Sequence, residues 1–130
     1  RLRLDSTVVM SRNATSEPAS KMYFSAGTQF SIDSALKYIM VKSANDVAVA
    51  LAEAVGGSES NFITMMNREA KRLGMSSSRF INPHGLPGSG QYTTARDMAL
   101  LGVALRKEFP RYKSYFALEG FSTGNLCLWF

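Results

Sequence analysis

Residues 41–57, VKSANDVAVALAEAVGG, constrain the fold more than any other stretch, because they set a polar cluster at the start of a helix that is apolar nearly all round. From Val47 to Val55 the only charged side chain is Glu53. A helix of that composition has no wet face wide enough for a surface position, so other elements must wrap it. Lys42, Ser43, Asn45 and Asp46 then stand at the mouth of a buried rod and share its rigidity. Gly56 and Gly57 follow where a helix end favours a left-handed residue. Two readings of the polar cluster stay open on local grounds. Either Asn45 or Asp46 caps the free amides of the first turn and Ser43 merely turns, or Ser43 and Asn45 are held there for chemistry.

The chain has 130 residues, 45% of them hydrophobic and 11% aromatic, which suits one domain with a real core. Its net charge is +5, yet the basic residues are scattered. The longest clusters, Lys71-Arg72 and Arg106-Lys107, fall near expected helix C-termini, where the macrodipole favours cations. No basic stripe with interleaved aromatics occurs, so nucleic acid is not an expected partner. An anionic envelope polymer or membrane surface accounts for the charge equally well. Cys127 is the single cysteine, which excludes an intrachain disulfide, and His84 is the only histidine. Cys and His therefore cannot assemble a metal site of the usual ligand count, and no metal or other cofactor is expected. Cys127 reads as a core-type thiol in an apolar tail. No apolar run approaches the roughly twenty residues of a membrane span. A start without Met and an apolar end, LCLWF, give the expectation of a fragment cut at both ends, lacking any signal peptide or anchor.

Residues 1–30 read as extended: strand-like at 5–11, a polar link through Pro18, then 21–24 before Ala26-Gly27. Ser31 caps a helix whose inward stripe is Ile32, Ala35, Leu36, Ile39 and Met40. Ser58 caps another, with Phe62, Met65, Met66, Ala70 and Leu73 on one face and Gly74 at its end. Residues 75–92 form a long polar connection, of a length that is either functional or disordered. Thr94 to Asp97 has the spacing of a capping box, and starts a helix with Met98, Leu101, Gly102 and Leu105 inward. Pro110 opens a short final helix through about Phe116. The expected organisation is one incomplete domain, with an extended segment at 1–30, a helical lobe at 31–116 and a divergent tail at 117–130.

Ser43-Ala44-Asn45 is an S-x-N triplet, and Ser11-Arg12-Asn13 is a second copy. Ser11 lies in a polar extended segment, whereas Ser43 sits at a fixed helix entry. A preorganised hydroxyl there can relay a proton, and an Asn carboxamide offers both donor and acceptor to a peptide-like substrate.

Three blocks, RLRLDSTVVMSRNA at the start, VKSANDVAVALAEAVGG at 41–57 and FINPHGLPGSGQYTTARDMALLGVAL at 80–105, resemble the serine-type D-Ala-D-Ala carboxypeptidases. These are the low-molecular-mass penicillin-binding proteins, and they share a fold with class A β-lactamases. The resemblance runs to about Gly124 and fails from Asn125 onward. It implies a mainly α fold class: the helical lobe, with a short N-terminal extended or hairpin segment, of an α/β DD-peptidase-like fold truncated at both ends. The family's site joins S-x-x-K, S-x-N and K-T-G. By resemblance Ser43 assists proton transfer to and from the leaving group, and Asn45 hydrogen-bonds the substrate backbone. The implied activity is removal of the terminal D-Ala from peptidoglycan stem peptides through an acyl-enzyme, in the periplasm or cell envelope, with β-lactams as inhibitors of the full-length parent, in which a membrane anchor is possible.

The only S-x-x-K is Ser34-Ala35-Leu36-Lys37, in the helix leading to Ser43, and it reads as a first-turn helix residue with an exposed lysine. No K-T-G occurs, and Ser122-Thr123-Gly124 is a decoy that lacks the lysine. The isolated chain is therefore expected to be inactive. His84, in a Pro-Gly turn, is expected to staple its loop rather than act as a base. Asn13-Ala14-Thr15 is a glycosylation sequon, of little meaning in an exported bacterial enzyme. The competing expectation is a non-catalytic module that binds cell-wall peptides or a partner protein.

Overall fold

The computed structural model describes residues 2–123 and 126–129, with side chains described as far as Ser122. The thiol of Cys127 and the expectations for Gly124 and Asn125 lie outside the described part. Strand β1 (Thr7–Val9) pairs antiparallel with β2 (Gln29–Ser31), with Val8 opposite Phe30. The ladder runs on past the strands, because Met10 N–H donates to Thr28 O and Gly27 N–H to Met10 O. Between those ends residues 11–26 make an Ω-type excursion that includes the short helix α1 (Arg12–Thr15). Residues 21–24, expected to be extended, form no strand. Their backbone donors are drawn instead to a carboxylate described below.

Helices follow as α2 (Ile32–Lys42), α3 (Asn45–Gly56), α4 (Glu59–Arg72) and α5 (Ala95–Glu108), then a 3-10 helix at Pro110–Ala117. The caps fall where the sequence places them. Ser31 accepts from Ser34 N–H, Ser58 from Asn61 N–H and Thr94 from Asp97 N–H. The Thr94 box closes on one side only, because the buried Asp97 carboxylate turns away to accept from Ser77 N–H and Ser78 Oγ, both at 2.8 Å. Strand β3 (Gly120–Thr123) pairs antiparallel with β4 (Leu126–Trp129), so the apolar tail does have a partner element, and that partner precedes it.

The core gathers Val8, Met10 and Ala14 against Ala35, Tyr38, Val47, Val49 and Ala50. As its composition requires, α3 is wrapped, by α1, α2, α4 and β1. Close approach to α4 depends on Gly56, where a Cβ would stand 2.7 Å from the Phe62 backbone nitrogen. The buried face of α2 is rotated from the predicted stripe: Ala35, Tyr38 and Val41 are buried. Tyr38, 4% exposed, packs against Phe24, Phe30 and Phe121 at centroid distances of 5.3, 5.8 and 5.2 Å. That aromatic cluster, drawn from the excursion, from β2 and from distant Phe121, decides which side of α2 turns inward. Leu36 and Met40 line an open groove with Leu105 and Phe109 instead. On α5 the predicted inward face is only partly covered, with Leu101 and Leu105 half-buried and Met98 45% exposed.

Beside this groove Asp33 accepts from Lys37 Nζ at 2.7 Å and from the Tyr115 hydroxyl. The Lys37 hydrogen bond and then that of Tyr115 hold the Asp33 carboxyl below its usual value, against partial desolvation. Burial first, and Asp33 second, push the Tyr115 hydroxyl up to about 12. The Asp33 contribution is present above its unfolded value of 3.8 and lost as pH falls through the lower folded value. The Tyr115 contribution is present below 10.0 and lost as pH rises toward about 12.

Two outcomes are expected in urea titrations. Tyr38→Ala costs about 3–5 kcal/mol and Leu36→Ala only about 1, whereas the reverse order would restore the stripe given by periodicity. Asp33→Asn costs at most about 1 kcal/mol at pH 7, screened because the carboxylate is 35% exposed, and less at pH 2. An equal cost at both values would remove the ion pair as its origin.

Candidate active site

The site grows from the joint between α2 and α3. Ser43 ends α2 in the left-handed region, φ 53 and ψ 44, while its N–H still bonds Ile39 O. That conformation costs an L-residue roughly 1–2 kcal/mol, and helix ends usually assign it to Gly. Ser43 is exposed. Among the described residues no group hydrogen-bonds its hydroxyl.

Ala44, extended and buried, is the N-cap of α3, and no side chain caps that end. The capping reading of Asn45 and Asp46 therefore fails, since both lie inside the helix and both are buried. Asp46 does serve one first-turn amide, accepting from Val47 N–H at 2.9 Å. Its main partners come from residues 18–23, which lie across the joint like a strap. Met22 N–H donates to both Asp46 oxygens at 3.0 Å, and Tyr23 N–H to Oδ2 at 3.1 Å. The carboxylate is 1% exposed, and these amides are what make its burial tolerable.

The same strap grips the backbone on either side of Ser43. Ser20 Oγ donates to Lys42 O at 2.9 Å, and Ser20 O accepts from Asn45 N–H at 2.8 Å. The Asn45 carboxamide, 4% exposed, donates to Pro18 O at 3.0 Å. A second left-handed residue, Tyr23 with φ 61, closes the strap.

The loop at residues 80–92 is ordered by side-chain amides. Asn67 exchanges hydrogen bonds with the backbone of Phe80, and Gln91 accepts from Ile81 N–H and donates to Leu86 O. His84 ties this loop to Glu17, the residue before the strap: Nδ1 accepts from Leu86 N–H at 3.2 Å, and Nε2 lies 3.1 Å from Glu17 Oε2. An Nδ1 acceptor puts the neutral ring's proton on Nε2, facing Glu17. Both nitrogens are committed to stapling, as the turn sequence suggested.

Neither the S-x-x-K at Ser34 nor the second S-x-N copy contributes to the joint. Ser34 bonds the capping Ser31, and Lys37 pairs with Asp33, so this S-x-x-K is consumed by one cap and one ion pair. In the second S-x-N copy, Ser11 caps α1, and Asn13 Nδ2 donates to Glu53 and Glu59 at 3.0 and 3.1 Å. Sequence reasoning missed Ser20, which bonds the backbone beside Ser43, and the part of Asp46 in anchoring the strap. A carboxylate inside an otherwise apolar helix was the available signal, since a buried charge demands donors from elsewhere.

The sequence profile of the D-alanyl-D-alanine carboxypeptidases matches residues 1–122. The chain is 40% identical over 116 residues to D-alanyl-D-alanine carboxypeptidase DacC of Escherichia coli, covering 85% of this chain and 29% of that protein. With DacF of Bacillus subtilis it shares 35% identity over 92% of its length and 30% of the relative's. The chain thus spans about three-tenths of these curated relatives. Among solved structures it is similar to D-alanyl-D-alanine carboxypeptidase DacD of Francisella tularensis, with TM-score 0.88 and 42% identity over 92% of this chain and 29% of that one. Penicillin binding protein 6B of Escherichia coli superposes with TM-score 0.90 at 27% identity, over 98% and 42% of the two chains. The mainly helical arrangement is the helical lobe of that fold, and the chain belongs to the D-alanyl-D-alanine carboxypeptidase family.

Proposed function

We propose that residues 1–130 are a single incomplete domain, the helical lobe of a serine D-Ala-D-Ala carboxypeptidase acting on peptidoglycan stem peptides in the cell envelope, and that Ser43 and Asn45 are its middle motif. The observation that carries this reading is the state of Ser43, a non-glycine residue kept left-handed with its hydroxyl exposed beside a buried carboxamide. Backbone strain of this kind persists where surrounding structure over-determines it, and it concentrates at functional sites. In the reaction, a serine hydroxyl attacks the carbonyl of the penultimate D-Ala, and the terminal D-Ala leaves as its amine once protonated. The Ser43 hydroxyl passes that proton, being both donor and acceptor. Asn45 keeps a second amide hydrogen and its carbonyl oxygen to hold the peptide backbone of the substrate.

The acylated serine and its lysine are assigned to polypeptide beyond these residues, because Ser34 and Lys37 are engaged elsewhere. β-Lactams would acylate the same serine in the longer protein. Incubating the isolated chain with a fluorescent penicillin is therefore expected to leave no covalent label. Labelling that Ser34→Ala abolishes would show instead that the nucleophile is in this chain. In a longer polypeptide that carries an upstream S-x-x-K, labelling is expected, and Ser43→Ala should slow it roughly 10²-fold. Muropeptide binding without acylation in that longer protein would favour a non-catalytic module.

A further inference from the structure

We infer that Asp46 is a positioning residue, which holds Ser43 in its left-handed conformation by anchoring residues 18–23 across the joint. The inference rests on the reading of Ser43 and Asn45 as active-site groups. Its geometric part stands on the structure alone. Asp46 does not touch Ser43; it acts through the strap. Its two oxygens fix the amides of Met22 and Tyr23. The strap then bonds Lys42 O through the Ser20 hydroxyl and Asn45 N–H through the Ser20 carbonyl, one on each flank of the Ser43-Ala44 pair. With both flanks held, Ser43 cannot relax to a right-handed or extended conformation without breaking a bond to the strap. The Pro18 carbonyl fixes the Asn45 carboxamide in the same way. One buried carboxylate thus sets both groups of the motif.

The alternative is that Asp46 only stabilises the fold. A double-mutant cycle in the full chain separates the two, read as urea unfolding constants of wild type, Asp46→Asn, Ser43→Gly and the pair. Asparagine keeps the volume but offers one acceptor oxygen where the carboxylate offers two, so its NH2 must face an N–H donor at the other position and the anchor is weakened. If the anchor holds Ser43 left-handed, its weakening lets Ser43 relax, and that relief offsets part of the damage. Glycine carries no such strain to relieve. Asp46→Asn should therefore reduce the folding constant about fivefold more in the Ser43→Gly background than in wild type. Equal reductions, within twofold, would overturn the inference. Should Asp46→Asn fail to fold, Ser20→Ala, which deletes only the bond to Lys42 O, takes its place in the cycle. A larger loss in the Ser43→Gly background again supports the inference, and equal losses again overturn it.

In the longer polypeptide carrying the nucleophile, Asp46→Asn is expected to lower kcat for a stem peptide at least tenfold while the protein stays folded; unchanged kcat and KM would contradict the positioning role. An inactive wild-type polypeptide would overturn the proposed function, and the unfolding cycle would still decide whether Asp46 holds Ser43.

Discussion

The Asp46 carboxylate, buried at the start of α3, accepts hydrogen bonds from the backbone of Met22, Tyr23 and Val47. A carboxylate without donors in such a place would cost several kcal/mol, so the chain must bring amides to it. The amides it brings come from residues 18–23, and the rest of the site follows from their arrival. Ser20 lands on the backbone flanking Ser43, Pro18 lands on the Asn45 carboxamide, and Glu17 lies where His84 reaches it from residues 80–92. The motif is shaped from outside, by a strap that the buried charge anchors.

The apolar rod explains why that anchor is firm. Val47, Val49 and Ala50 pack with Val8, Met10 and Ala14, so α3, α1 and the β1–β2 pair form one body. The strap starts and ends in that body, since the excursion at 11–26 leaves from Met10 and returns to it at Gly27. Lys21 adds a further tie, donating to Thr15 O and Glu17 O at the end of α1. By contrast, Leu36, Met40, Leu105 and Phe109 line an open groove on the far side of α2. The lobe is tight around the motif and loose away from it.

Local signals in the sequence were reliable wherever a single residue settles its own neighbourhood. Ser31, Ser58 and Thr94 cap the helices they precede, Pro110 opens the 3-10 helix, and the apolar composition of α3 dictates its burial. The three resemblance blocks likewise identified the family. What escaped was decided by contacts between distant residues. Tyr38 is the centre of the α2 face only because Phe24, Phe30 and Phe121 converge on it, and no window around α2 contains all three. The Asn45 and Asp46 pair looked like caps because their residue types favour caps, yet the strap claimed their side chains first. Residues 21–24 looked like a strand, but their amides had a stronger acceptor in a carboxylate than any neighbouring strand offered.

The central claim, that a buried carboxylate holds the strap and through it the motif, is most directly tested by amide hydrogen exchange in the chain at residue resolution. Met22 and Tyr23 belong to no helix or strand, and among the described residues Asp46 is the acceptor of their N–H groups. If the carboxylate holds them, these two amides exchange as slowly as those of Val49 and Ala50 in the buried rod. Exchange of both at the rate of an open loop, with the rod still protected, would contradict it.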